Sequence, residues 1–331
     1  VSPKRACSPR LPAKRLGNKT YKISRKRKKM TGGGNINDIA ILIPISPKGY
    51  DMIYRLLNKL KHNNIKIDIF LVFSSQTDYD NFQMKTEIKP ILIGNDVDMS
   101  NKTGGIVAFK KLYGLNSLVT SKYEYILCCD DELDIIPENL TEKNLKEKIT
   151  QIFNNKKLYA GAVTPESDMK SRYVIQIQIP SMVLAQKYME SSANLFPSHY
   201  EQLKKATNNF TLYFWWSDLP IYKRDTLQDF LETINYKNIN YASRYYNYEQ
   251  IMYGFYLVIK YNFEIIDTTP ILNLNYSLEY LDTTDKAALD KLRELKFGFS
   301  WMNNIMYATM KDYLLSQKTI FIYSSDRKFI L

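Results

Sequence analysis

Four carboxylates crowd the end of one apolar run. In "YEYILCCDDELDI", residues 123–135, the segment Tyr123–Cys129 is apolar and aromatic apart from Glu124, and Asp130, Asp131, Glu132 and Asp134 follow it at once. The run reads as a largely buried strand. Asp130 and Glu132 are two apart, so in extended backbone they project to the same side. Two carboxylates so placed repel each other unless a cation sits between their oxygens. Hard divalent ions, Mg²⁺ or Mn²⁺, favour such ligands, with waters and phosphate oxygens completing the shell. The alternative is an acidic turn that caps the next element and ends at Pro137.

Other residues could also do chemistry. "LYFWWSDLPIYKRDTL", 212–227, sets Trp215 and Trp216 beside Ser217 and Asp218. A half-exposed Trp stacks on a sugar or base face and an Asp orients hydroxyls; equally, the two Trp are core residues, one to each side of a strand. Glu249 opens an apolar helical pattern, where a carboxylate suits the helix N-terminus, and the same first turn faces whatever the neighbouring loops hold. Lys110 and Lys111 lie on the helix before the acidic strand, as anion contacts or as a solvated face. His62 and His199 are the chain's two histidines, and neither lies near a Cys pair or a Gly-flanked Ser. A His-centred zinc site or a Ser-His-Asp triad is therefore not expected. Cys7, Cys128 and Cys129 make no disulfide framework and suit a reducing compartment.

These residues need elements to hold them. "NDIAILIPIS" reads as a first strand, residues 50–61 as a helix with Ile53, Leu56, Leu57 and Leu60 on one face, "IKIDIFLVFSS" as a second strand ending in Ser74 and Ser75, and "KPILIG" as a third. Residues 105–118 are helical, and "YEYILCC" is the fourth strand. Strands alternating with helices predict an α/β fold, Rossmann-like, with a mostly parallel central sheet flanked by helices. In such sheets ligands bind outside the carboxyl ends of the strands, where the acids fall. Residues 140–156 predict a polar helix, and 158–210 a mixture of short strands and helices. Residues 247–267 predict a helix broken at Asn262 and then the strand "FEIID". Beyond them come a strand "PILNLNYSLEYL", a helix over 284–296, a further helix from about Trp301 to Leu315, and a closing "TIFIY" that packs back on the body.

Charge is distributed unevenly. Of 46 Lys and Arg, 12 fall within residues 1–29, which contain no Asp or Glu; the other 34 match the chain's 34 acidic residues. The formal charge of +12 is thus a property of the tail, and a nucleic-acid-binding body is not expected. The tail has too little apolar surface to fold alone. It reads as a basic arm with a polyanion-binding or nuclear-signal-like "SRKRKK", or as an extension ahead of Met30. No apolar run approaches the roughly 20 residues of a spanning helix, so no transmembrane segment or signal peptide is expected, and a soluble, cytoplasmic protein is, with nuclear or polyanion association through the arm.

The series "IAILIPIS", "IDIFLVFSS", "GGIVAFKKLYGLNSL", "YEYILCCDDE" and "NYEQIMYGFYLVIKYNFEII" resembles the nucleotide-sugar glycosyltransferases of the GT-A fold, family 2-like. The resemblance covers roughly 37–270. It implies a D-x-D-type metal motif, here Asp130-Asp131-Glu132, with Asp130 and Glu132 on Mn²⁺ or Mg²⁺ and Asp131 on the ribose or sugar. It implies donor contacts from Pro44, Ser46, Ser74, Ser75, Gly105 and Lys110, with a UDP-sugar as donor. For inverting transfer it implies a base at Glu249, with Asp218 second, while Trp215 and Trp216 would meet a glycan or protein acceptor. The family's later motif is often Glu-Asp; here it is Tyr248-Glu249. The domain organisation expected is a basic arm and Gly hinge at 1–34 and one catalytic domain at 35–331, divided into a nucleotide-binding half (35–136), an acceptor half (137–280) and a C-terminal helical segment (281–331). Two other readings compete: a sugar-1-phosphate nucleotidyltransferase, which needs a Gly-rich loop where this chain has "PISPKGY", and a non-catalytic protein that binds nucleic acid through its arm.

Overall fold

The computed structural model describes residues 38–99, 102, 105–162, 172–174, 177–179, 182–213, 221–241, 248–267, 299–302 and 320–324. The chain divides at Gly33/Gly34, and every described residue belongs to the second unit.

In chain order the elements are β1 (Ile39–Pro44), α1 (Tyr50–His62), β2 (Asp68–Phe73), α2 (Gln76–Asn81), β3 (Lys89–Leu92), α3 (Ile106–Ser117), β4 (Tyr125–Cys128), β5 (Leu133–Ile135) and α4 (Glu142–Asn155). Then follow β6 (Lys157–Ala162), β7 (Arg172–Val174), β8 (Ile177–Ile179), α5 (Met182–Ala193), α6 (Tyr200–Ala206), β9 (Leu212–Tyr213), β10 (Ile221–Lys223) and α7 (Arg224–Thr233). Last come α8 (Glu249–Tyr261), β11 (Glu264–Asp267), β12 (Phe299–Met302) and β13 (Phe321–Ser324).

The central sheet has the order β10-β4-β1-β2-β3. β1, β2, β3 and β4 are mutually parallel, and β10 runs antiparallel along β4. The fold is therefore α/β with a mostly parallel central sheet. Strand alternation divides the core in two. Ile41, Ile43, Leu71, Phe73, Leu127 and Cys129 join the cluster under α1; Leu42, Val72, Ile126 and Cys128 join the cluster under α3. The two adjacent cysteines thus lie on opposite faces of the sheet, both buried and free.

Each covering helix follows from its sequence. α1 is amphipathic and buries Ile53, Leu56, Leu57 and Leu60. α3, "IVAFKKLYGLNS", is apolar nearly all round, the mark of a helix buried on most sides. Gly114 lets it lie close on the sheet: a Cβ there would meet the Val72 and Leu42 side chains at 2.7–2.9 Å. α8 ends where Asn262 takes the left-handed conformation (φ 56°), which Asn tolerates better than most residues.

One boundary differs from the sequence reading. Trp301, expected in a helix, lies in strand β12, which pairs parallel with β13. A four-residue stretch with two aromatics, FSWM, satisfies either periodicity, and the pairing decides it. β13 in turn pairs antiparallel with β5, just past the acidic run, so "TIFIY" does pack back on the body. The expected elements at 268–298 and 303–319 lie outside the described residues. No described helix is long and apolar enough to cross a membrane.

Candidate active site at the carboxyl ends of the sheet

β1 connects through α1 to β2 on one side, while β4, its neighbour on the other side, is reached through α3. The strand order therefore reverses at β1, with β2 on one side and β4 on the other, and the carboxyl ends of β1 and β4 are the switch point at which open α/β sheets form a crevice. The segment 45–49 after β1 and the acids 130–132 after β4 face each other there.

Pleating explains where each acid goes. Cys129 N–H still bonds Leu42 C=O at 2.8 Å, so strand alternation carries one residue beyond β4. Ile126, Cys128 and Asp130 then share the α3 side, and α3 presents Lys111. The Lys111 ammonium lies 2.8 Å from Asp130 Oδ1 and 2.6 Å from Glu249 Oε1, with side-chain exposures of 5% for the lysine and 1% for the glutamate. Burial alone would push this lysine's pKa down; the two carboxylates outweigh it and hold it well above the ordinary value.

The backbone then turns. Leu133 N–H bonds Asp130 C=O at 3.2 Å, and Asp131 and Glu132 form the turn. The extended geometry expected for Asp130 and Glu132 is therefore replaced by a bend. Strand β5 requires that bend, because Leu133 and Ile135 must return to the α1 cluster. The Asp131 carboxylate packs against Gly49, where any Cβ would lie 2.1 Å from Oδ2. Asp134 turns to α1, and Lys59 Nζ bonds its two oxygens at 2.8 and 2.9 Å. The acidic run is thus shared among different lysines, which answers its self-repulsion.

Lys110 reaches the same crevice from α3. Its ammonium donates to Ile45 C=O at 2.6 Å, just past β1. Burial lowers its pKa to about 8, with Asp78 and Asp131 partly opposing the shift. Among the described residues this carbonyl is its one hydrogen-bond acceptor, and an ammonium carries three donors. Beside Lys111, Asp130 and Glu249, Tyr222 is fully buried and its hydroxyl has no hydrogen-bond partner among the described residues. Burial drives that phenol well above its usual pKa, and the Glu249 and Asp130 charges add to the shift.

The remaining sequence candidates lie as follows. Pro44 is buried at the end of β1, and Ser46 precedes the short turn Pro47–Gly49, accepting Gly49 N–H on its carbonyl at 2.8 Å. Ser74 is half-buried after β2. Ser75 caps α2, its Oγ accepting Asp78 N–H at 3.1 Å. Gly105 precedes α3, and a Cβ there would lie 2.9 Å from Tyr241 C=O; that close approach accounts for the glycine without a phosphate. Glu249 opens α8, but its carboxylate serves Lys111 and is enclosed. Trp215, Trp216 and Asp218 lie outside the described residues.

The sequence reading undervalued the two lysines as a solvated face. The signal was present: they are the only charges in a helix otherwise apolar on nearly every side, so they had to be buried. Tyr222 carried no comparable signal.

A divalent cation was expected here, and the donor set suits one in kind, being carboxylate oxygen at the mouth of a crevice. Gly49 leaves room for the Asp131 carboxylate that a Cβ would fill. Among the described residues, however, no three or more His, Cys, Asp or Glu gather as a metal site. Any ion here would draw part of its shell from water or ligand oxygens, as Mg²⁺ commonly does.

No protein-family model matches the chain, and no curated protein does. Among solved structures it is similar to mannose-1-phosphate geranyltransferase from Thermus thermophilus (9% identity, 70% of each chain covered, TM-score 0.30). It is also similar to CMP:2-keto-3-deoxy-manno-octonic acid synthetase complexed with CTP (10% identity, 69% of this chain and 88% of that one, TM-score 0.31). A third is S. aureus TarS, residues 1–349 (14% identity, 85% and 88% covered, TM-score 0.26). Likeness at this level assigns neither a family nor a reaction.

Proposed function

We propose that the chain is a transferase acting on a nucleotide-linked sugar, with glycosyl transfer to a hydroxyl acceptor as its reaction. The observation that carries this reading is the position of the acidic turn: Asp130–Glu132 stands at the switch point of the sheet, opposite the β1 loop, with buried lysines behind it. A nucleoside diphosphate leaving group needs positive charge beside it as its bond to the anomeric carbon breaks.

Lys110 is the protein's own cation for that charge, and Ile45 C=O fixes its ammonium at the carboxyl end of β1. Asp130 and Glu132 would hold a divalent ion, Mn²⁺ or Mg²⁺, and Asp131 beside Gly49 would face the ribose or sugar. When bound, such an ion neutralises charge on the diphosphate. Glu249 becomes a positioning residue in this reading: it fixes Lys111, which fixes Asp130. Of the two candidates for the proton acceptor, Glu249 is thereby occupied, and Asp218 lies outside the described residues. Pro44, Ser46, Ser74 and Ser75 line the path of the base and ribose; Trp215 and Trp216 belong to the acceptor side.

The test is a panel of nucleotide sugars, UDP-linked ones first, followed by nucleotide release with Mn²⁺, with Mg²⁺ and with chelator, for the full chain and for Asp130→Ala. Nucleoside diphosphate released from one donor and lost in the variant supports glycosyl transfer. Pyrophosphate formed from a nucleoside triphosphate and a sugar phosphate would make the chain a nucleotidyltransferase instead. Binding of no nucleotide under any of these conditions refutes both.

A further inference from the structure

A second cavity lies away from the crevice, at the amino end of β2. Its volume is about 620 Å³, within the usual range for small-molecule sites. Leu60, Ile65 and Ile67 contribute apolar surface. The charged lining is Lys61, Lys66, Lys89 and Lys122 against Asp68 and Glu87.

Two of the lysines are answered. Lys61 pairs with Glu87 at 3.2 Å and Lys89 with Asp68 at 2.8 Å. Lys66 and Lys122 have no ion pair among the described residues and are exposed, so the cavity keeps two positive charges in excess. Its wall is also fixed. Tyr123, 3% exposed, donates to Asp68 Oδ2, and Lys89 Nζ donates to the Tyr123 hydroxyl at 2.7 Å. The Lys122 ammonium stands 5.4 Å from the centre of the Tyr123 ring. Hydrogen bonds to Asp68 and Tyr123 raise the Lys89 pKa, so this cation stays charged through the neutral range.

We propose that this cavity binds a small organic dianion, a phosphomonoester or a dicarboxylate on an apolar body. The charge matches the lining's excess of two lysines over its two carboxylates, and the body matches the aliphatic floor. The site is separate from the crevice: β2 spans six residues between them, about 20 Å of strand, so both ligands can bind at once.

The test is calorimetric titration of the full chain with phenyl phosphate and, in a second arm, with benzene-1,3-dicarboxylate. The variants are Lys66→Glu/Lys122→Glu, both exposed positions, and Lys110→Met in the crevice. The expected result is one saturable site for at least one probe, weakened about tenfold or more by the double charge reversal and unchanged by Lys110→Met; the arm that binds tells phosphate from dicarboxylate. No saturable binding of either probe overturns the proposal, as does binding that survives the double variant or is lost in Lys110→Met. None of these outcomes depends on the transferase reading.

Discussion

Replacing Lys111 with Met tests the centre of the site most directly. The substitution keeps the length and apolar stem of the side chain and removes the ammonium. Two carboxylates, 2.8 and 2.6 Å from that ammonium, then share a buried space with no countercharge. Removing one partner of a buried pair costs about 3–5 kcal/mol, and here one cation serves two anions, so the upper part of that range is expected. Against a typical domain stability of roughly 5–15 kcal/mol the loss is large. Urea unfolding followed by circular dichroism reads it as a lower midpoint. The pH dependence supplies a sign. In the parent chain the Lys111 pKa is raised, so its contribution is fully present below the unfolded lysine value of about 10.4 and is lost as pH rises through the folded value. Between pH 5 and 8 this lysine contributes no slope. The triple variant Lys111→Met/Asp130→Asn/Glu249→Gln removes every charge and should recover most of the loss. A drop under about 1 kcal/mol for the single variant, or no recovery in the triple one, would show that the contacts carry no such energy and would refute the reasoning.

Two further outcomes follow from the crevice. Lys110→Met relieves a buried ammonium whose pKa is lowered to about 8. Below pH 8 the folded state carries this buried ammonium at its full cost, and the cost fades as pH rises from there to the unfolded value. The variant should be more stable at pH 7 by up to ~3 kcal/mol and lose that advantage near pH 10, while nucleotide binding by calorimetry weakens; a variant less stable at pH 7 would contradict the assignment. Gly49→Ala puts a Cβ 2.1 Å from Asp131 Oδ2 at a backbone conformation (φ −94°) that alanine adopts freely. Stability should fall by only about 1 kcal/mol because a short side chain can swing away. Metal-supported nucleotide binding should fall much further, and equal losses in both would mean that Asp131 is merely packed there.

The sheet and its helices were legible because periodicity and length agreed. Ile53, Leu56, Leu57 and Leu60 marked α1, and the continuous apolar runs of β1 and β4 marked strands buried on both faces. The acids were legible as a site for the same reason, since a buried strand has only its carboxyl end at which to present charge. Their individual fates were not legible. Asp130, Asp131 and Asp134 look alike in sequence, yet one meets α3, one meets Gly49 and one meets α1. What separates them is the turn at 131–132, and that turn is imposed by the pairing of β5 with β13, almost two hundred residues downstream in sequence. Local pattern carries no information about so distant a partner. The same holds for Glu249, whose place at the start of α8 suggested helix capping, whereas its partner is a lysine on another helix.

Charge at the end of this core strand therefore has two consequences that need not be separate functions. Asp130 and Asp134 tie β4 and β5 to α3 and α1 through lysines that are themselves mostly buried, and Glu249 adds the start of α8 to the same network. Buried ion pairs of this kind are weak sources of net stability but strong penalties when one partner is displaced. They hold five elements in one arrangement more firmly than apolar packing would, because apolar side chains can slide and a buried charge has few other partners. The region so fixed is the rim of the crevice. A site that must meet a developing charge without rearranging requires that rigidity, and it is why Lys111, which touches no ligand in the proposed reaction, should affect nucleotide binding as strongly as residues that do.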